Sequence, residues 1–230
     1  MSVPDNNSDI KREGEFYRKK LLLSMIIPGI LITLMWLVKL TELAFGTDFY
    51  SYGIYPLATN GLRGIIFSPF IHADFKHLLN NSLPLFFLSV ALFYFYSAVS
   101  VRVFILNYLL TGFLVWLAGR EAWHIGASGL IYGLASFLFF SGILRKYFRL
   151  IALSLLIVFL YGSMVWGIFP GVNEGVSWES HMLGFISGVL LAIWFRNDGP
   201  QKPRYVWMEE ESEEEEIGRV GDEAEISDEK

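Results

Sequence analysis

Six stretches of this chain run for most of the thickness of a lipid bilayer without a charged side chain, and this limits the fold more than any other feature. They are Leu21 to Val38, Leu78 to Tyr96, Val103 to Ala118, Ser128 to Leu144, Leu150 to Phe169 and His181 to Phe195. A helix needs roughly 20 mainly apolar residues to cross a hydrocarbon core about 30 Å thick. Read as helices, the runs predict an all-α polytopic membrane protein with six transmembrane helices. Composition agrees, since a mean hydropathy of +0.44 and 53% hydrophobic residues exceed what a soluble domain carries. The first run follows a basic segment but is too long for a secretory signal and lacks a small-residue cleavage site, so it is expected to stay as an anchor. The chain has no cysteine, which excludes disulfides, thiolate metal sites and cysteine nucleophiles.

Sidedness follows from the basic residues. If the spans alternate, Lys11, Arg12, Arg18, Lys19, Lys20, Arg102, Arg145, Lys146, Arg149, Arg196, Lys202 and Arg204 flank one side, against Lys39, Arg63, Lys76 and Arg120 on the other. The positive-inside rule then puts both termini in the cytoplasm, with the plasma membrane as the expected location. Residues 1–20 are expected to be a cytoplasmic segment, 21–196 the six-span domain, and 197–230 a cytoplasmic tail. The block from Glu209 to Glu216 carries much of the acid behind the net charge of −5 and reads as disordered. Between the first two spans, Leu40 to Lys76 is rich in aromatics, Gly and Pro and too polar to cross. It is expected to lie in the outer leaflet, where aromatics favour the headgroup level.

The same alternation places all four histidines, His72, His77, His124 and His181, on the non-cytoplasmic side with Ser128. The fourth run spans roughly 25 Å and the sixth roughly 22 Å at about 1.5 Å per residue, so both are short for the membrane. With their cytoplasmic ends set by Arg145 and Arg196, Ser128 and His181 begin at similar depth. Gly129 and Gly133 form one small-xxx-small pair and Gly184 and Gly188 another, a spacing that lets helix backbones pack closely in lipid. A neutral histidine within reach of a serine can take its proton and make it a nucleophile. The oxyanion formed by attack on an amide needs preorganised donors. His77 and Asn81, four residues apart on one helical face, are candidates, as is the Ser128 amide at a helix N-terminus.

Each of these residues also has a plainer reading. Serine is common as a helix N-cap, glycine pairs are usually packing, and His72 could as well orient a loop by a hydrogen bond. His124, four residues before Ser128, reads as structural or solvated.

Together the residues resemble the rhomboid intramembrane serine proteases, over about Leu21 to Phe195. Gly126, Ala127, Ser128 and Gly129 match a G-x-S-G motif, with Tyr132 where the family has an aromatic packed on the catalytic histidine. His72, His77 and Asn81 match H-x4-H-x3-N, and His181, Gly184 and Gly188 match H-x2-G-x3-G. The resemblance implies a rhomboid-like bundle with a membrane-lying first loop and a Ser128–His181 dyad. Asn81, His77 and the Ser128 amide would serve the oxyanion, with no metal or cofactor. It implies an endopeptidase that cleaves transmembrane segments of other membrane proteins through an acyl-enzyme, with the lipid bilayer and such substrates as partners and no nucleic acid. Leu62-Arg63 stands where the family has a Trp-Arg pair. Two rivals are a silent relative that binds membrane clients and a histidine-based metal or proton transporter.

Overall fold

The computed structural model describes residues 6–170 and 177–201. The expected apolar runs are helical. A long helix α1 (Asn6–Phe45) is followed by a compact segment holding three 3-10 turns and one short helix α2 (Gly64–Phe67). Then come α3 (Phe75–Phe95), α4 (Ser100–Ala118), α5 (Ser128–Leu144), α6 (Phe148–Tyr161) and α7 (Trp178–Trp194). The only β pairing among the described residues is the single bridge between Ile54 and His124.

Three of these helices are long and apolar enough to cross a membrane: Ile10–Phe45 within α1, then α3 and α4. Apolar helices α5 and α6 are shorter, at 17 and 14 residues. Two helices differ most from the sequence reading. α1 continues well past both ends of the run Leu21 to Val38, because the flanks contain no proline and are rich in Lys, Arg, Glu and Leu, which favour helix. The fifth run leaves the α conformation at Gly162 and continues as a 3-10 segment, Gly162–Ile168. Its glycines lower the cost of that departure.

α5 is the centre of the bundle. It packs most extensively on α7, then on α6, α3 and α4, while α1 packs on α3. Leu130, Ile131, Leu134, Phe137 and Leu138 of α5 are buried, as are Leu78, Leu85, Leu88 and Leu92 of α3. The outward positions are equally apolar: Leu23, Phe87, Ile105, Phe159 and Trp194 are all exposed. An apolar rim of this extent belongs in lipid.

The α5–α7 contact is made by glycine. A Cβ on Gly184 would collide with the Gly129 carbonyl, and one on Gly188 with the Gly133 carbonyl and Ser136 Oγ. The two glycine pairs thus face each other, as close backbone packing requires. Polar side chains lock the seam. Asn107 of α4, fully buried, donates to the Leu130 carbonyl at 3.1 Å and accepts from Ser187 Oγ of α7 at 3.1 Å. Ser136 Oγ donates to the Phe185 carbonyl at 2.9 Å.

The segment after α1 is folded on itself. Gly61 packs on the Tyr55 backbone and Gly64 on that of Gly53, so closely that neither site has room for a Cβ. Arg63 donates to the Ser51 carbonyl at 3.1 Å and lies 4.2 Å from the Tyr52 ring centroid. Trp116 Nε1 reaches the Ala58 carbonyl at 3.0 Å and so anchors the segment to α4.

Candidate functional site

Ser128 is the first residue of α5, and the turn that delivers it depends on Gly126. There φ is +100°, and a Cβ would lie 2.8 Å from His77 Nε2 and 3.4 Å from Asn81 Nδ2. Glycine is required on both counts. The Gly126 N–H is held by the Ser68 carbonyl at 2.9 Å, which fixes the turn against the end of the first loop.

His77 and Asn81 come from the start of α3. Asp74 caps that helix by accepting from the His77 N–H at 2.7 Å, which sets the first turn and the direction of the imidazole above it. The N–H donors at its N-terminus, His77's included, hold the Asp74 carboxyl below the usual carboxylate range. Asn81 is 5% exposed, and its Nδ2 is buried with no hydrogen-bond partner. Buried donors are nearly always paired, so an orphaned amide pointing at the Gly126 turn stands out.

His181 lies in the second turn of α7. Its Nδ1 is 2.9 Å from the Gly167 carbonyl, an acceptor only, so Nδ1 carries the proton and Nε2 is left to accept. The ring stacks on Tyr132 with centroids 4.2 Å apart and planes at 11°. Tyr132 reaches it from the second turn of α5, and both pack on Gly167 of the 3-10 segment, where a Cβ would strike the Tyr132 hydroxyl. The departure from α-helix at Gly162 is what brings this carbonyl to the imidazole.

Residues on either side of Ser128 therefore adjoin the start of α3 and the start of α7. Gly126 meets His77 and Asn81, while Gly129 meets Gly184 and, through a Cβ position 3.0 Å from its carbonyl oxygen, Ser180, the residue before His181. Ser128 is half-buried between them. Among the described residues, its hydroxyl makes no hydrogen bond to His181 or to another side chain.

His72 is 2% exposed, its ring edge-on to that of His77 at 5.0 Å, and its Nε2 has no partner. Burial, with the nearby His77 adding to it, lowers its pKa to about 4. Lys39 of α1 ties this region down by donating to the carbonyls of His72 and Ala73 at 2.9 and 3.0 Å while paired with Glu42 at 2.9 Å. A cavity of about 240 Å³ opens here, lined by Lys39, Glu42, Tyr50, His72 and Ile125 among others. A second of about 30 Å³, bordered by Ser68, Thr111, His124, Gly126, Gly129 and Ser180, lies behind the serine turn. Neither is lined by Ser128 or His181. Among the described residues no three His, Asp or Glu side chains are grouped to hold a metal ion.

Of the two readings of His124, structural or solvated, the structure shows the first, since it is buried and hydrogen-bonded. Sequence reasoning missed two participants: Ser177, which caps α7 and is the partner of His124, and Asn107, which pins the α5–α7 seam. Asn107 had a readable signal, since a polar amide inside an apolar span is costly unless it has a task. The acidic block from Glu209 to Glu216 lies outside the described residues.

A helical membrane protein whose central helix begins with a serine, packed through glycine on a helix that carries a histidine, defines a narrow class. The chain belongs to the rhomboid family: the Rhomboid domain matches residues 59–198. It is 34% identical over 169 residues to proteins of Mycobacterium tuberculosis and Mycobacterium bovis, covering 70% of each chain. A Mycobacterium leprae protein is 32% identical over 205 residues, 84% of this chain and 80% of its own. All three bear the name of uncharacterized protein.

Proposed function

We propose that this protein is an intramembrane serine endopeptidase that cleaves transmembrane segments of other membrane proteins near the outer leaflet. The observation that carries the reading is the unpartnered Asn81 Nδ2, buried beside His77 at the turn that delivers Ser128. A donor kept without an acceptor in the resting protein is what an oxyanion site requires. His181 Nε2, left as acceptor by the Gly167 bond, takes the proton from Ser128 Oγ as Oγ attacks the scissile carbonyl carbon. The oxyanion is held by Asn81 Nδ2, an N–H of His77 and the Ser128 N–H at the start of α5. His181 then protonates the leaving amine as the C–N bond breaks, leaving an acyl-enzyme. Water, deprotonated by the same imidazole, attacks the ester and restores Ser128. Tyr132 holds the ring, and Gly126, Gly129, Gly184 and Gly188 supply the turn and the close approach.

In this reading α1 and α3 to α7 all cross the bilayer, the shorter ones included, both termini are cytoplasmic, and the segment after α1 lies in the outer leaflet of the plasma membrane. Substrates present a helix whose outer end unwinds, because an intact helix hides its carbonyls in backbone bonds. A second reading, a client-binding relative without chemistry, draws on the missing hydrogen bond between Ser128 and His181. Catalytic hydrogen bonds are often long in the resting enzyme and tighten with substrate, which favours the protease. The deciding experiment offers reconstituted protein a labelled transmembrane substrate and a serine-directed phosphonate. The native protein should cleave and be labelled, Ser128→Ala should do neither, and a chelator should change nothing. Undiminished cleavage by folded Ser128→Ala, or dependence on added metal, defeats the proposal.

A further inference from the structure

His124 and Ser177 have no part in the chemistry proposed above, yet they occupy matching places. Each stands four residues before a reacting side chain, His124 before Ser128 and Ser177 before His181. The structure joins them: His124 Nδ1 lies 2.6 Å from Ser177 Oγ, and the histidine is 3% exposed. The direction of the bond follows from the neighbours. His124 Nε2 is 3.0 Å from the Arg120 carbonyl, which only accepts, so Nε2 carries the proton and Nδ1 is an acceptor. Burial holds this imidazole below its ordinary pKa and keeps it neutral at pH 7. Ser177 therefore donates to Nδ1. Its oxygen accepts from the Ser180 N–H at 3.2 Å and meets the Ser180 hydroxyl at 2.7 Å, which caps α7 at the same time.

The link has independent backing. Glu179, 4% exposed in the first turn of α7, meets Arg120 Nε at 3.4 Å, a second tie between the same two elements. The His124 backbone is paired in both directions with Ile54, at 2.8 and 2.9 Å. A Cβ on Gly119 would sit 2.9 Å from His124 Nε2, so the turn closes tightly round the ring. The strand of chain entering α5 and the first turn of α7 are thus bound together about one helical turn from Ser128 and His181. A displacement of about 1 Å between reacting groups can cost 10²-fold in rate.

We infer that the His124–Ser177 hydrogen bond, backed by the Arg120–Glu179 ion pair, is a positioning clamp that sets the separation of Ser128 and His181. The clamp rests on the protease reading, since it has meaning only if those two side chains react together. Both residues are positioning residues, and neither touches the reacting atoms.

The test uses the full chain in phospholipid vesicles with a transmembrane peptide substrate, measuring kcat, KM, the rate of phosphonate labelling and Tm. His124→Gln keeps a donor for the Arg120 carbonyl and loses the acceptor for Ser177, whereas His124→Asn places a carbonyl near the former Nδ1. His124→Gln and Ser177→Ala should each lower kcat and labelling about 10- to 100-fold, with KM held within about twofold. His124→Asn should recover most of that loss, and Ser177→Thr, which keeps hydroxyl and cap, should stay near the native rate. Combining His124→Gln with Ser177→Ala should be no slower than the worse single change, because both break one link. Unchanged kcat in folded His124→Gln, a loss carried by KM, losses that multiply in the double variant, or slow His124→Asn and Ser177→Thr proteins would overturn the clamp. Native protein that neither cleaves nor is labelled, or Ser128→Ala that cleaves normally, overturns the protease reading instead, so the two failures are separable.

Discussion

At the scale of single residues, two unpartnered nitrogens have measurable consequences. Asn81 Nδ2 has no acceptor in the resting protein, so Asn81→Ala leaves no broken hydrogen bond and should fold normally. Loss of one oxyanion donor costs about 10²–10³ in rate. We expect kcat to fall by that factor with Tm almost unchanged; equal loss of both would make Asn81 a packing residue. His72 reports on pH. Its pKa of about 4 lies below the ordinary 6.5, so the unfolded chain binds the extra proton first as pH falls. The stability from keeping His72 neutral is fully present above pH 6.5 and is lost as pH falls toward 4, on the order of 3 kcal/mol in all. His72→Gln should flatten the fall in Tm between pH 7 and pH 4.5. An identical pH profile in the variant would show that other groups carry the acid sensitivity. The identities of both side chains were legible in the motif spacing, but their missing partners were not, because a hydrogen bond depends on what other elements bring near.

At the scale of elements, the seam between α5 and α7 joins the helix that begins with Ser128 to the helix that carries His181. A methyl group on Gly184 has no space, since the Gly129 carbonyl occupies it, whereas one on Gly29 in α1 meets nothing within 4 Å. Gly184→Ala should therefore push the helices apart and destabilise by about 1–3 kcal/mol, as overpacking does. Gly29→Ala should be neutral or raise stability by about 0.5–1 kcal/mol through helix propensity. Thermal unfolding in one detergent compares the two directly, and a milder effect at Gly184 would mean that the seam yields. The spacing of the glycines announced a packing face on each helix. It did not announce Asn107, whose insertion from a third helix needs the bundle to be assembled. Nor did hydropathy reveal that the fifth apolar run stops being α-helical at Gly162, because a 3-10 segment carries the same apolar residues.

At the scale of the whole molecule, the exposed apolar side chains around α1, α3, α4 and α6 call for a lipid surround, and the positive-inside rule predicts cytoplasmic termini. Tags fused to either end should resist protease added outside intact cells; digestion of one tag alone would mean an odd number of crossings. Truncation after Arg204 removes the acidic block and leaves every candidate site residue in the chain, so turnover in detergent should persist. A folded truncation that loses activity would give the tail a role in catalysis.

Hydropathy, charge asymmetry and three short motifs, all local in the sequence, determined by themselves that this is a helical membrane protein and which side chains are candidates for its chemistry. They could do so because lipid imposes a length on each helix and because motif spacing follows helical geometry. Only the tertiary structure decided that the Gly167 carbonyl sets the His181 tautomer, that Asn81 waits without an acceptor, and that His124 is bound to Ser177. The Gly167–His181 and His124–Ser177 contacts join residues 14 and 53 positions apart. Contacts at that separation arise from helices packing side by side, and no local pattern encodes which faces will meet.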